Sequence, residues 1–237
     1  MTTPGPTLIK KCSHCAGFMK ERTIASGSNF GARYWTDGRV DASMLPLPPS
    51  AVRCPYCHSL LWLSSLEEVG EIPGPRGFSV PRPEYDNSFD ALPFIEKLEA
   101  DDYLMAVRKG EFSKDQEAYL RTMYWRLMND PRRRSQTSIA LSADEQTNLR
   151  SLLQLVIETD EPSRLIRAEI YRELGEFKEC EKALDYDFSE ENIPAAVTIY
   201  VLQEERNSSV GEIHPEGMEV VTCHYYRYQK KLKPVVN

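Results

Sequence analysis

Two Cys-x-x-Cys pairs near the start of the chain restrict its fold more than any other feature of the sequence. Cys12 and Cys15 form the first pair, Cys54 and Cys57 form the second, and 38 residues separate them. A Cys-x-x-Cys turn sets two thiolates at the spacing of two ligands of one metal ion, and two such turns complete a tetrahedral set. The four cysteines therefore predict one closed metal centre with no position open to a reactant, which makes its role structural.

Zinc is the ion that an all-cysteine tetrahedral site favours. Lys10, Lys11 and Arg53 directly precede the pairs, where positive charge offsets the negative charge of four thiolates. His14 and His58 lie within and beside the pairs, and we interpret them as surface residues rather than substitutes for a cysteine ligand. The alternative to a zinc ion is a core of four reduced thiols.

The other two cysteines, Cys180 and Cys223, stand alone in the sequence. Six cysteines in 237 residues do not make a dense disulfide framework, and the paired spacing of four of them favours metal over disulfides. We expect buried, unreactive thiols at the two isolated positions.

Short strands are predicted around the cysteine pairs. Residues 17–24 alternate between two faces, as a half-buried strand does, and the apolar run 59–63 predicts another strand. Between them, Asp37-Gly38 separates residues 32–36 from 39–44 and predicts a hairpin with a type I′ turn, which needs two positive φ angles.

Over roughly residues 8–70 the chain resembles the zinc-ribbon family, in which paired cysteine knuckles are joined by antiparallel strands. The resemblance implies that Cys12, Cys15, Cys54 and Cys57 bind one structural Zn²⁺ ion. The family usually has a left-handed glycine after the second cysteine of each knuckle. This chain has Ala16 and His58 at those positions.

The second pair also permits a different chemistry. Cys54-Pro-Tyr-Cys57 is similar to the active-site motif of glutaredoxins, in which the pair follows a strand and begins a helix. The run after Cys57 has no helical period, and the first cysteine pair would have no role. A thiol-disulfide oxidoreductase is therefore the last-ranked of the functional hypotheses, after a protein-interaction module and a nucleic-acid-binding protein.

From about residue 90 the sequence becomes helical. Ser113 with Gln116 and Ser142 with Glu145 predict capping boxes, the first of a helix to about Met128. The second helix has an apolar face of five residues, namely Leu149, Leu152, Leu153, Val156 and Ile157. Further helices are predicted over 162–174, 177–184 and about 190–206, and a strand or extended tail over 218–228.

Part of this region, residues 162–186, resembles a helical hairpin of the tetratricopeptide (TPR) family. Gly175, Phe177, Cys180 and Leu184 occupy the positions of the turn glycine, the aromatic residue, the small residue and the large apolar residue. The resemblance implies a TPR-like hairpin and, if it were repeated, a peptide-binding groove. The alternative is a single helical hairpin within an ordinary helical domain.

Together these patterns predict an α+β protein, with a small antiparallel zinc ribbon followed by a mainly α-helical domain. The zinc-ribbon domain spans residues 1–70 and the helical domain spans residues 88–237. Residues 71–87 contain several prolines and glycines and are interpreted as a linker.

The charge distribution leaves nucleic-acid binding open. Residues 1–60 hold seven Lys/Arg and three Asp/Glu, a balance of +4, within a chain of net charge −7. A basic module permits nucleic-acid contact, and so does the aromatic and basic tail of residues 224–233. We interpret the arginines at 132–134 as solvated residues that complement the dipole of a preceding helix end.

The functional prediction is a non-enzymatic protein that acts as a protein-interaction or scaffolding module. The sequence contains no Gly-rich phosphate loop and no nucleophile elbow, so no small-molecule substrate is indicated. No apolar run approaches the roughly 20 residues of a membrane span, and residues 1–7 do not resemble a secretory signal, so we expect a cytoplasmic protein. The alternative is a nucleic-acid-binding accessory protein.

Overall fold

The computed structural model describes residues 2–74, 84–135 and 139–214. It combines helices with small antiparallel sheets and confirms the predicted α+β class. The chain forms two compact units. The N-terminal unit contains Met1–Ala32 and Asp41–Glu99, and the helical unit contains Arg33–Val40 and Ala100–Asn237. The chain therefore passes between the units three times.

The N-terminal unit contains two antiparallel sheets. Strands β1 (Thr3–Lys11), β2 (Phe18–Ser26) and β7 (Glu67–Ile72) form one sheet in the order β2-β1-β7. Strands β5 (Ala51–Arg53) and β6 (Leu60–Trp62) form the other. The predicted strands after each cysteine pair are thus present as β2 and β6, and β1 leads directly into the first pair.

One further segment connects these two sheets. The Lys20 amide on β2 donates to the Pro93 carbonyl at 2.8 Å, and the Ile95 amide donates back to Lys20 at 3.0 Å. Arg53, which ends β5, exchanges two backbone hydrogen bonds with Glu96. Residues 93–96 therefore fix β2 against β5 and with them the relative positions of the two cysteine pairs.

The predicted hairpin around Asp37-Gly38 is present, but its turn type is different. Strands β3 (Arg33–Trp35) and β4 (Val40–Asp41) are neighbours, and β3 also pairs with β8 (Glu212–Ile213). Gly38 has φ +74°, whereas Asp37 does not have a positive φ. The Gly38 amide donates to the Trp35 carbonyl at 2.8 Å, so a single left-handed glycine closes a longer loop than the two-residue type I′ turn.

The helical unit contains seven helices among the described residues. They are α1 (Ala100–Lys109), α2 (Lys114–Met128), α3 (Asp130–Arg134), α4 (Ala143–Leu155), α5 (Glu161–Glu173), α6 (Phe177–Leu184) and α7 (Ile193–Glu204). Both capping boxes are confirmed, at Ser113/Gln116 and Ser142/Glu145. Gly175 lies in the turn after α5, as predicted, and has a left-handed φ of +76°. Helix α1 has Asp101 and Asp102 in its first turn, as the sequence predicts, although no bounds were predicted for this helix.

The predicted apolar face of α4 is wrong at Ile157, whereas Val156, although beyond the helix end, still packs against the core cluster that contains Leu149, Leu152 and Leu153. The helix ends at Leu155, Val156 is extended, and Ile157 is 70% exposed. Two β-branched residues have low helix propensity at this point. The side chain of Asp160 then caps α5 by accepting from the Ser163 amide, so the chain must leave α4 before residue 160.

The interpretation of residues 132–134 as solvated arginines is wrong for the first two. Arg132 is buried and pairs with Glu145 at 2.6 Å, and Arg133 is buried and pairs with Asp37 and Asp130. The short helix α3 places them there, because Pro131 permits a new helix to begin after α2 rather than ending helical structure.

Several predictions concern residues outside the described part of the chain. These are most of the linker (75–83), the strand or tail at 218–228, the basic tail at 224–233 and Cys223. The predicted domain boundaries at residues 70 and 87 stay predictions.

Candidate metal centre

The two cysteine pairs form turns with matching backbone hydrogen bonds. In the first, the Cys12 amide donates to the Gly17 carbonyl and the Ala16 amide donates to the Cys12 carbonyl, at 2.9 and 3.0 Å. In the second, the Cys54 amide donates to Ser59 and the His58 amide donates to Cys54, both at 3.0 Å. The local sequences differ, yet the same knuckle forms twice.

Each knuckle ends on a residue in the left-handed region. Ala16 has φ +59° and His58 has φ +56°, although neither is glycine. This conformation turns the chain after the second cysteine of each pair. The missing glycines therefore do not change the path of the backbone, although a left-handed conformation costs a non-glycine residue free energy.

The four thiols converge on one point. All four Sγ atoms lie within 4.8 Å of one another, so Cys12, Cys15, Cys54 and Cys57 could together hold a metal ion. Two contacts run between the knuckles, with 3.8 Å from the Cys12 Sγ atom to the Cys57 Sγ atom and 3.8 Å from the Cys15 Sγ atom to the Cys54 Sγ atom. A disulfide needs about 2.05 Å between sulfur atoms, so these cysteines are free thiols.

Burial differs between the members of each pair. Cys12 and Cys54 are buried in the core of the N-terminal unit, whereas Cys15 and Cys57 are exposed. Burial raises the pKa of the Cys54 thiol to about 12. Hydrogen bonding to the Ser59 side chain and amide lowers the pKa of the Cys57 thiol to about 6. Metal binding by all four requires them as thiolates, so it would release protons.

The first knuckle is supported by an aromatic ring of the second. The Tyr56 hydroxyl donates to the Phe18 carbonyl at 2.8 Å. A Cβ atom on Gly17 would lie 2.6 Å from the Tyr56 ring, so a larger residue there would have to displace the ring. His14 and His58 are exposed, as expected for surface residues.

The cations before the cysteine pairs face carboxylates. Lys10 pairs with Glu68 at 3.1 Å, Lys11 with Glu67 at 3.1 Å, and Arg53 with Glu96 at 2.8 Å. Two of these acids lie on β7, which the sequence analysis did not recognise as a strand. The positive charges that were expected to offset the thiolates are therefore also partly neutralised by these carboxylates.

A second polar cluster, in the helical unit, was missed by the sequence analysis. Three fully or almost fully buried acids are its centre, namely Asp37, Glu169 and Glu173. Arg172 donates two hydrogen bonds to Glu169, at 2.8 and 2.6 Å. Burial, reinforced by the charge of Glu169, raises the pKa of Glu173 well above its usual range. Helical periodicity could have indicated this burial. Glu169 and Arg172 lie four residues after the apolar Leu165 and Ala168, and therefore on the same face of α5.

Comparison with protein-family models, curated proteins and solved structures returned no match. Within the described ranges, none of the helices has both the length and the apolar content needed to cross a bilayer.

Proposed function

We propose that the protein binds one structural Zn²⁺ ion through Cys12, Cys15, Cys54 and Cys57, and that its N-terminal unit is a zinc ribbon. The observation that carries this proposal is the 3.8 Å spacing of the thiols across the two knuckles. Four sulfur atoms at about 2.3 Å from a central zinc ion form a tetrahedron with edges of about 3.8 Å. A fully occupied thiolate set has no position for water, so the ion stabilises the fold and performs no chemistry.

The whole protein, on this proposal, is a cytoplasmic, non-enzymatic module that binds or organises a protein partner. Helices α5 and α6 support it, because they follow each other in the chain and pack together, as the helices of a TPR-like hairpin would. Leu165 and Ala168 pack against Cys180 and Leu184 in one core cluster, with Gly175 in the turn. A cavity of about 160 Å³ between α1, α2 and α4 is small compared with the roughly 300–1,000 Å³ of typical ligand sites.

Nucleic-acid binding remains the alternative proposal, and the charges count against it. The balance of +4 over residues 1–60 included Arg33 and Arg39, which belong to the helical unit. The N-terminal unit itself has eight Lys/Arg against ten Asp/Glu, a net charge of −2. Lys20 is buried, and Arg22, although exposed, stacks on Phe94 at 3.7 Å, so these two cations both contact protein groups.

Thiol-disulfide exchange at Cys54 and Cys57 ranks third. The low pKa of the Cys57 thiol favours it. However, strand β6 rather than a helix follows this pair, so the helix N-terminus that stabilises the thiolate in glutaredoxin-like sites is missing from these described residues.

Experiments with the full chain separate these proposals. Elemental analysis together with thiol titration tests the zinc site, since a structural site gives one zinc per chain and four thiols that react only after chelation. Affinity capture from the native cell tests for a protein partner. Binding to mixed-sequence DNA and RNA at several salt concentrations tests for a nucleic-acid partner. Strong, salt-sensitive nucleic-acid binding would overturn the protein-partner proposal. A disulfide between Cys54 and Cys57 at mild potential would favour the redox alternative.

A further inference from the structure

The β3–β4 hairpin is part of the helical unit, although in sequence it lies between two segments of the N-terminal unit. Residues 33–40 lie between the two cysteine pairs, inside the segment 16–53 that a metal ion would close into a loop. They nevertheless form part of the helical unit.

Trp35, Thr36 and Asp37 are the buried centre of this hairpin. The Thr36 amide donates to the Gly211 carbonyl at 2.9 Å, and the Gly211 amide donates to the Thr36 hydroxyl oxygen at 3.0 Å. The same hydroxyl donates to the buried Glu169 carboxylate. One threonine therefore connects the hairpin both to the β8 segment and to α5.

Asp37 provides the charge that α2 and α3 require. Its carboxylate accepts from Asn129 at 3.1 Å and from Arg133, and its carbonyl accepts from the Arg126 guanidinium at 3.2 Å. Asn129 and the Arg133 side chain are almost fully buried. Without the hairpin, these groups would lose partners in a buried environment, which is strongly unfavourable. The helical unit is therefore incomplete without residues 33–40.

The N-terminal unit holds the two ends of the hairpin together. The Ser28 amide donates to the Met44 carbonyl at 3.3 Å, and the Thr2 hydroxyl donates to the same carbonyl at 2.6 Å. When this unit is folded, the chain enters and leaves the hairpin from fixed positions. When it is unfolded, residues 41–99 become a long flexible connection, and docking the hairpin then carries the full entropy cost of closing that loop.

We infer that metal occupancy of the four-cysteine site controls the stability of the helical unit, and that the β3–β4 hairpin is the connection between them. The inference rests on the proposed metal site. Loss of the ion unfolds the strands around the cysteine pairs, frees the ends of the hairpin and weakens its docking onto α2, α3 and α5. A change in metal or redox conditions at the cysteines is thereby transmitted to the helical unit.

Tryptophan fluorescence can report on the helical unit alone. The chain has three tryptophans, of which Trp35 and Trp125 lie in the helical unit and Trp62 lies on β6. In a Trp62→Phe variant of the full chain, thermal unfolding followed by fluorescence measures the helical unit. Chelation should lower its Tm by about 10 °C, and added zinc should restore it. An unchanged Tm after elemental analysis has shown loss of the metal would overturn the inference.

A second arm leaves the cysteines intact. Met19 is fully buried in the core of the N-terminal unit, and Leu47 is 77% exposed in the same unit. In the Trp62→Phe background, Met19→Ala should lower the Tm of the helical unit, whereas Leu47→Ala should leave it unchanged. If the purified protein holds no metal, the zinc proposal fails and metal control fails with it, but a lower Tm for Met19→Ala would still support the hairpin connection. Equal Tm values for the two variants would overturn that connection.

A third variant tests whether the hairpin is the connection between metal occupancy and the stability of the helical unit. About twelve Gly/Ser residues inserted after Ala32 and again after Val40 loosen the connection on both sides of the hairpin. The Tm shift on chelation should then fall to less than half of its value in the uninserted chain. An undiminished shift would contradict the hairpin as the connection.

Discussion

Asp37 and Arg133 form a buried ion pair although they lie 96 positions apart in the sequence. Asp37 lies between the two cysteine pairs, and Arg133 lies on the short helix α3 of the helical unit. The pair shows that the segment between the cysteines serves two purposes. Its ends belong to the strands that hold the knuckles, and its centre neutralises charge inside the other unit.

Removing the charge of Asp37 should destabilise the helical unit. In Asp37→Asn, Arg133 keeps Asp130 but loses its buried partner, and we expect a loss of about 3 kcal/mol in the free energy of unfolding. Urea unfolding followed by tryptophan fluorescence measures it. Asp187→Asn, at an exposed position, is the matched control and should change stability by less than about 0.5 kcal/mol. Equal stability of the two variants would contradict the assigned role of Asp37.

The Arg132–Glu145 pair should make stability depend on pH. Burial alone would raise the pKa of Glu145, but hydrogen bonds from Arg132 and Ser142 outweigh it and lower the pKa below 4.5. The contribution of the pair is therefore complete above pH 4.5 and is lost as the pH falls through the folded-state pKa. Glu145→Gln should cost about 3 kcal/mol at pH 7, and the difference from wild type should shrink in acid.

Urea unfolding followed by circular dichroism at pH 7 and at a pH below 4 measures this difference. The control is Glu158→Gln, because Glu158 is a half-exposed partner of Arg164 and Arg167. Its cost should stay below about 1 kcal/mol at both pH values. A Glu145→Gln penalty that did not change with pH would show that the carboxylate charge is unimportant.

Glycine should be the better residue at position 16. Ala16→Gly removes the cost of a left-handed alanine, about 1 kcal/mol, and part of that gain is lost to the greater freedom of glycine in the unfolded chain. We expect a net stabilisation of about 0.5 kcal/mol. Ala25→Gly, within β2 and without a positive φ, should instead lose about 0.5 kcal/mol. The midpoints of urea unfolding measure both effects. If the midpoints of the two variants shift in the same direction, the result would argue against backbone strain at Ala16.

The sequence predicted those features that depend on neighbouring residues. The capping boxes at Ser113 and Ser142, the left-handed Gly175 and the helix 177–184 are all present, because each is determined within one or two turns of chain. The convergence of the two cysteine pairs was also predictable, since a shared site is the simplest reason for two matched pairs.

Features that depend on distant partners were not predictable in this way. Lys20 and Arg53 make backbone bridges to residues 93–96, far along the chain, and nothing near either residue indicates this. Arg132 and Arg133 look like solvated cations until Glu145 and Asp37 are placed beside them. The residues near a charged side chain predict that it is exposed. Only the tertiary structure shows that an oppositely charged partner is buried beside it.

The most direct test of the account is the metal content of the purified full chain and two variants, measured by elemental analysis. Wild type and Cys180→Ala, which alters a buried cysteine outside the cluster, should each contain one zinc ion per chain. Cys54→Ser should contain much less than one. Wild-type protein without tightly bound zinc, or Cys54→Ser with the same zinc content as Cys180→Ala, would contradict the assignment of these four cysteines as a metal site.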